Sequence, residues 1–136
     1  MKKLSTISRY LLGFLFLLSG VIGLFNLVPP PADLPAAMMD FMKGMEAAKY
    51  FLPLLKLTEL ICGLLLLVGV APALMLMILA PVTINILGVH AFLTPGFGNL
   101  VVPLILLALH VLSSVNYWDV YKPLLKRPTS EDAGRR

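Results

Sequence analysis

The chain is poor in charged residues. Only 13% of its 136 residues are Asp, Glu, Lys or Arg, whereas soluble domains carry about 25%. Hydrophobic residues make up 59%, and the mean hydropathy is +0.92. This composition excludes an ordinary soluble domain and predicts a polytopic membrane protein whose first partner is the lipid bilayer. It gives no support to nucleic-acid binding.

Cysteine and the common catalytic motifs are nearly absent. The lone Cys62 excludes an intrachain disulfide and a CxxC redox pair. No P-loop, GxGxxG or hydrolase elbow occurs, and His90 and His110 form no HxxH or HxxxH pair, so we predict no metal site. The chain brings no intrinsic redox cofactor, and any electron transfer would need a bound cofactor or a partner.

Four apolar runs approach the ~20 residues that cross a bilayer. They cover about 7–28, 47–68, 72–93 and 100–121. The connections after the second and third runs are short, which predicts an all-α, up-down-up-down four-helix bundle in the membrane over residues 1–125. The polar segment 126–136 is expected to be a disordered basic tail.

The first connection differs from the others. The prolines of PPPADLP interrupt the helix, after which Asp33 is a candidate N-cap. Apolar and charged residues then separate onto two sides, which predicts a short interfacial helix over about 34–45. A lid over a cavity is the alternative interpretation.

Positive charge flanks the first and last runs. Lys2, Lys3 and Arg9 precede the first, and a basic cluster from Lys122 to Arg136 follows the last. The positive-inside rule therefore predicts that both termini are cytoplasmic, in a bacterial inner membrane. The first run is too long for a signal peptide, so we expect it to be a membrane anchor.

Polar residues recur at a similar depth in the predicted spans. Lys56 and Glu59 share a helix face, and ionised groups in lipid usually meet a partner, a cavity or a ligand. Counting ~1.5 Å per residue inward puts Glu59, Asn85 and His110 some 13–15 Å below the outer surface, with His90 nearer to it. We predict that these side chains form a ligand-binding layer, and the alternative is a polar network that only joins the helices.

Small residues and prolines have structural interpretations. Gly13, Gly20 and Gly63 are expected to be close-packing positions between helices. Pro81 is expected to bend the third span.

These segments resemble the DoxX-like family of small four-span membrane proteins. The resemblance rests on RYLLGFLFLLSGVIGLFN, LTELICGLLLLVGVAP and APVTINILGVHAFL. It implies that Arg9 lies at the cytoplasmic start of the first span, that Glu59 is the buried acid, and that Asn85 and His90 are polar positions of the third span. Many members carry a lysine where this chain has Gly23, and Lys56 is expected to supply that charge from another helix.

The resemblance implies fold more firmly than function. The family is named from a subunit associated with thiosulfate:quinone oxidoreduction. We therefore expect an accessory or redox-associated subunit that binds a quinone or lipid-like molecule and works with a membrane or redox partner protein. Enzymatic activity is left open, as is homo-oligomerisation. The alternatives are a non-enzymatic membrane chaperone or assembly factor and a small proton-coupled transporter.

Overall fold

The computed structural model describes residues 2–125, and every regular element in that range is helical. The six helices are α1 (Lys2–Leu24), α2 (Ala36–Ala47), α3 (Phe51–Val68), α4 (Pro72–Phe92), α5 (Phe97–Val115) and α6 (Trp118–Leu125).

Four of the helices are long and apolar enough to cross a membrane. They are α1, α3, α4 and α5, with 18 to 23 residues each and mean hydropathies of 1.8 to 2.1. Large apolar side chains cover their outer surfaces, as lipid contact requires; Phe14, Leu64 and Ile105 are all about half exposed. The predicted all-α membrane bundle is confirmed.

The spanning helices pack as a ring. Helix α1 contacts α3 and α5, and α4 contacts the same two helices. The Ser5 hydroxyl near the start of α1 donates to the Ser113 carbonyl near the end of α5, at 3.2 Å. The start of α1 and the end of α5 therefore lie on one side of the bundle, which we call the terminal side. The opposite side carries α2 and is called the α2 side.

Several helix ends differ from the predicted spans. Helix α1 covers Lys2–Leu24 instead of 7–28. Its first turns are polar, so hydropathy did not mark them, yet they are helical. Helix α5 ends at Val115, and a separate helix α6 follows where one span to residue 121 was predicted. Hydropathy marks the length in contact with lipid, whereas backbone hydrogen bonds decide where a helix begins and ends.

Helix α2 begins slightly later than predicted. It covers Ala36–Ala47, and its N-cap is Pro35, which makes no side-chain capping bond. The prediction that Asp33 caps this helix is wrong, because the chain does not become helical until after Pro35. The expected disorder of 126–136 lies outside the described residues.

Two glycines bring α1 and α3 into close contact. A Cβ atom on Gly20 would lie 2.5 Å from the Leu60 nitrogen, and one on Gly63 would meet the backbone of Leu17. Only a residue without a side chain allows the two backbones to approach this closely. Gly13 lies in the same contact, since a Cβ there would be 3.0 Å from the Gly63 carbonyl oxygen.

Arg9 joins α1 to the end of α3. It is buried, and its guanidinium donates to the Leu66 carbonyl in the last turn of α3 and stacks on the Tyr10 ring, 4.3 Å from the centroid. Helix α3 ends at Gly69, whose φ of +77° is the left-handed conformation that favours glycine. A cation at this point satisfies a carbonyl that has no partner within the helix and opposes the negative end of the helix dipole.

The close α1–α3 contact predicts a contrast between two glycine substitutions. Gly20→Ala should lower the free energy of unfolding by about 1–3 kcal/mol, because the new methyl group displaces the backbone of α3. Gly44→Ala, where a Cβ would meet nothing within 4 Å, should not destabilise the protein. Denaturant titration in detergent micelles measures both. Equal effects of the two substitutions would contradict the close contact.

Candidate functional site

A buried ion pair joins α1 and α3 in the α2-side half of the bundle. The Lys56 ammonium lies 2.8 Å from Glu59 Oε2, and the Ser19 hydroxyl donates to the same oxygen at 2.7 Å. Lys56 also donates to the Ser19 oxygen at 3.2 Å. Glu59 is only 1% exposed, so the carboxylate that lipid would not tolerate is enclosed by the protein and paired with a cation.

The sequence places these groups together through simple register. Lys56 and Glu59 are three residues apart on α3 and so share a face. That face packs on α1, where Gly20 lets Leu60 approach and Ser19 reaches the carboxylate. The glycine contact therefore controls the distance across which Ser19 and Glu59 meet.

The Lys56 stem occupies the space beside Gly23. A Cβ on Gly23 would lie 2.7 Å from Lys56 Cε, so any side chain at position 23 would compete with the lysine. The Lys56 side chain therefore fills the position on α1 where the resemblance led us to expect a lysine at residue 23. The Lys56 side chain is 22% exposed, whereas Glu59 is sealed, so the cation is the accessible half of the pair.

A cavity of about 510 Å³ opens directly above Lys56, on the α2 side. It lies between the end of α1, the loop that follows, α2 and the first turns of α3. Its polar lining consists of Asn26, Glu46, Lys49 and Lys56, and its apolar lining is mainly Leu24, Val28, Met42, Met45, Leu52 and Pro53. Helix α2 thus forms one wall of the cavity.

His110 belongs to a different polar cluster. Its Nδ1 is 2.9 Å from the Thr83 hydroxyl, which also lies 3.1 Å from the Leu79 carbonyl. These groups join α4 to α5 and are buried. Within residues 2–125 no hydrogen bond connects His110 to Glu59 or to Lys56.

The register of α1 shows why the prediction of a single layer is wrong for His110. Ser19 lies level with Glu59, and Ser5 lies level with Ser113 on α5. Ser5 and Ser19 are 14 residues apart, or about 21 Å along the helix. Since His110 is one turn before Ser113, it lies nearer to the terminal side than Glu59 does. Part of the error is that α5 begins at Phe97 and not near residue 100, which places His110 about 4.5 Å deeper than the sequence estimate.

Asn85 and His90 also lie away from the ion pair. Asn85 is on the exposed surface of α4, and the prediction that it contributes to a layer around Glu59 is wrong. His90 is half-buried near the α2-side end of α4, and its Nδ1 is 2.8 Å from the Ile86 carbonyl. Pro81 is exposed as well, so it is not packed between helices. For Asn85 the reason is that helical spacing identifies residues that share a face but not which face the neighbouring helices cover.

Several residues of the site were not identified from the sequence. The cavity side chains Met42, Met45 and Glu46 were assigned to an interfacial helix because they fit an amphipathic pattern, and Lys49 was not identified as a site residue. Thr83 was not singled out; its hydroxyl bonds to the backbone of its own helix as well as to His110. Its place opposite His110 depends on the offset between α4 and α5, and no local sequence pattern indicates that offset.

A second cavity lies on the terminal side. It has a volume of about 480 Å³, lies between α4, α5 and α6, and is lined mostly by apolar side chains, with His110 and Ser114 among its walls. The Tyr121 hydroxyl donates to the Ala73 carbonyl at 2.9 Å and so ties α6 to α4. Burial raises the pKa of Tyr121.

The helices and the site define a class: a four-span membrane protein with a buried lysine–glutamate pair beneath a polar cavity. The sequence model of the DoxX family matches residues 4–92, well over half of the chain, so the protein belongs to the DoxX family. The matched region runs from α1 to the end of α4 and includes Ser19, Lys56 and Glu59. No curated protein and no solved structure shows significant similarity to the chain.

The ion pair predicts strong coupling between two substitutions. Glu59→Leu alone should cost about 2 kcal/mol of unfolding free energy, because it leaves the Lys56 ammonium without its partner; the magnitude is reduced because Lys56 is partly exposed. Lys56→Met in the same chain should restore most of that loss, since two well-packed apolar side chains replace the pair.

A double-mutant cycle in detergent or in bicelles measures this coupling. Glu46→Gln, at an exposed position on α2, is the matched control and should change stability little. Additive effects of the two substitutions at 56 and 59 would show that the pair does not form.

Proposed function

We propose that the α2-side cavity binds a neutral amphipathic molecule, either a quinone or a lipid, whose polar end accepts a hydrogen bond from Lys56. The observation that carries the proposal is that Lys56, the base of the buried ion pair, also lines the cavity. An ammonium has three N–H donors, and here two are directed to Ser19 and Glu59. Within the described residues 2–125 the third has no hydrogen-bond partner, and we propose that it serves a ligand oxygen.

The charge of the cavity favours a neutral ligand over an anion. Lys56 is balanced by Glu59, and Lys49 at the rim is accompanied by Glu46. A ligand therefore meets a strong hydrogen-bond donor without a net positive field. A quinone carbonyl or the ester and hydroxyl oxygens of a lipid fit this chemistry better than a free phosphate or a carboxylate does.

The size and lining of the cavity suit such a ligand. A volume of about 510 Å³ lies within the ~300–1,000 Å³ range of small-molecule sites. The thioether side chains of Met42 and Met45 adapt easily to different apolar shapes. Since the cavity lies at the α2-side end of the spans, an apolar tail can extend between the helices into the bilayer.

We infer a non-autonomous role in redox chemistry, as an accessory subunit. The protein brings no covalent redox group, so it would hold the quinone or lipid while a partner protein in the membrane carries out any electron transfer. If both termini lie on the cytoplasmic side of a bacterial inner membrane, the cavity faces the opposite, outer side of that membrane.

The transporter alternative receives less support from the core. Along α1, the buried side chains of Leu12 and Phe16 separate the terminal-side polar residues from Ser19. Leu66 is fully buried at a similar level of α3. A proton or a polar solute that left Glu59 toward the terminal side would have to cross this apolar layer.

The proposal predicts binding of decylubiquinone, a short-chain quinone. Full-length protein in nanodiscs should form a 1:1 adduct in native mass spectrometry. Loss of a hydrogen bond to a charged donor costs about 1.5–3 kcal/mol, so the Lys56→Met/Glu59→Leu variant, which is expected to remain folded, should bind at least ~10-fold more weakly. Met45→Trp, which fills the cavity and leaves the ion pair intact, should also weaken binding.

Lys122→Met is the matched control, because Lys122 forms its ion pair with Asp119 on α6, at the terminal side. It should bind decylubiquinone as the native protein does. A lysophospholipid used in place of the quinone distinguishes the two ligand classes. Binding of both probes that is unaffected by either cavity variant would contradict the proposal.

A further inference from the structure

Asn85 is a polar side chain on the surface that faces lipid. It lies near the middle of α4, seven residues before the end of that helix at Phe92, and its side chain is exposed. Among residues 2–125 no hydrogen bond satisfies its amide. An amide in hydrocarbon without a partner costs free energy, and polar residues within spans usually face another protein group.

The surroundings of Asn85 leave room for a close neighbour. Pro81 and Gly88 lie one turn to either side on the same face of α4, and a Cβ on Gly88 would meet nothing within 4 Å. Ile84 beside them is 64% exposed. Pro81 also has no N–H to donate to the Met77 carbonyl, so a second polar group on this face lacks its helical partner.

No helix of the described chain covers this face. Helix α4 packs against α3 and α5, and the surface that carries Asn85 is directed away from both. The ring of four helices is therefore complete without a contact on this face. A hydrogen-bond partner for the Asn85 amide must come from outside the bundle.

We propose that the Asn85 face of α4 binds a second copy of this chain, to form a two-fold symmetric dimer. Identical copies in one membrane share an orientation, so a two-fold axis along the membrane normal keeps every residue at its own depth. A residue next to such an axis meets its own counterpart. An amide both donates and accepts, so two Asn85 side chains satisfy each other in a reciprocal pair.

A different partner protein would need its own polar group at the matching depth, and a lipid chain offers none. A second copy supplies the complementary group automatically. The small residue at 88 then allows the two α4 helices to approach as the interhelical hydrogen bonds require.

Single-molecule photobleaching of the labelled full chain in phospholipid vesicles measures the dimer at several protein-to-lipid ratios. The native chain should dimerise, and Asn85→Leu, nearly the same size and exposed to lipid, should weaken dimerisation by about tenfold. Asn85→Gln keeps the amide and should retain most of the affinity. A native chain that is monomeric at every ratio, or a dimer unaffected by Asn85→Leu, would overturn the proposal.

Disulfide cross-linking identifies the face. In a Cys62→Ala background, Ile84→Cys should cross-link between copies upon oxidation, and Ile105→Cys should not. The two positions are matched, since each isoleucine lies eight residues from the α2-side end of its helix and is more than half exposed. Stronger cross-linking at 105 than at 84 would place the interface on α5 and overturn the proposal.

Discussion

The Lys56–Glu59 pair is the constraint on which the rest of the structure depends. Charges within a bilayer must be paired, sealed from lipid, or both. Here the acid is sealed and the base is partly open, an arrangement that requires α1 and α3 to approach closely. Gly20 and Gly63 permit that approach, Ser19 adds a donor to the carboxylate, and Gly23 leaves space for the lysine stem. The cavity then follows from the geometry, because the open side of the pair is the side that α2 covers.

The terminal side of the bundle is stabilised by separate polar contacts. Arg9 completes the last turn of α3, and Thr83 meets His110 between α4 and α5. Buried apolar side chains, Leu12 and Phe16 among them, lie between these contacts and the ion pair. The protein therefore has polar groups in both halves, with buried apolar side chains between them.

Sequence reasoning predicted the fold well and the site in part. Long apolar runs with short connections define a four-span bundle, because bilayer thickness and hydrogen bonding leave little choice. Lys56 and Glu59 stood out because charge in an apolar segment is costly. The placement of Asn85 and His110 failed for a different reason. The offset between neighbouring helices and the face that each one turns inward depend on packing of the whole bundle, and helical spacing within one segment contains neither.

The arrangement of the ion pair can be measured directly in a membrane. Solid-state NMR of the full chain in lipid bilayers, with ¹⁵N on the lysine Nζ and ¹³C on the glutamate carboxyl carbons, reports the distance between them, and Glu59→Gln assigns the signal. With Nζ 2.8 Å from Oε2, we expect a resolvable dipolar coupling between Lys56 Nζ and the Glu59 carboxyl carbon, and we expect it to disappear in Glu59→Gln. A native chain without that coupling would show that the two charges are apart in the bilayer and would contradict the account at its centre.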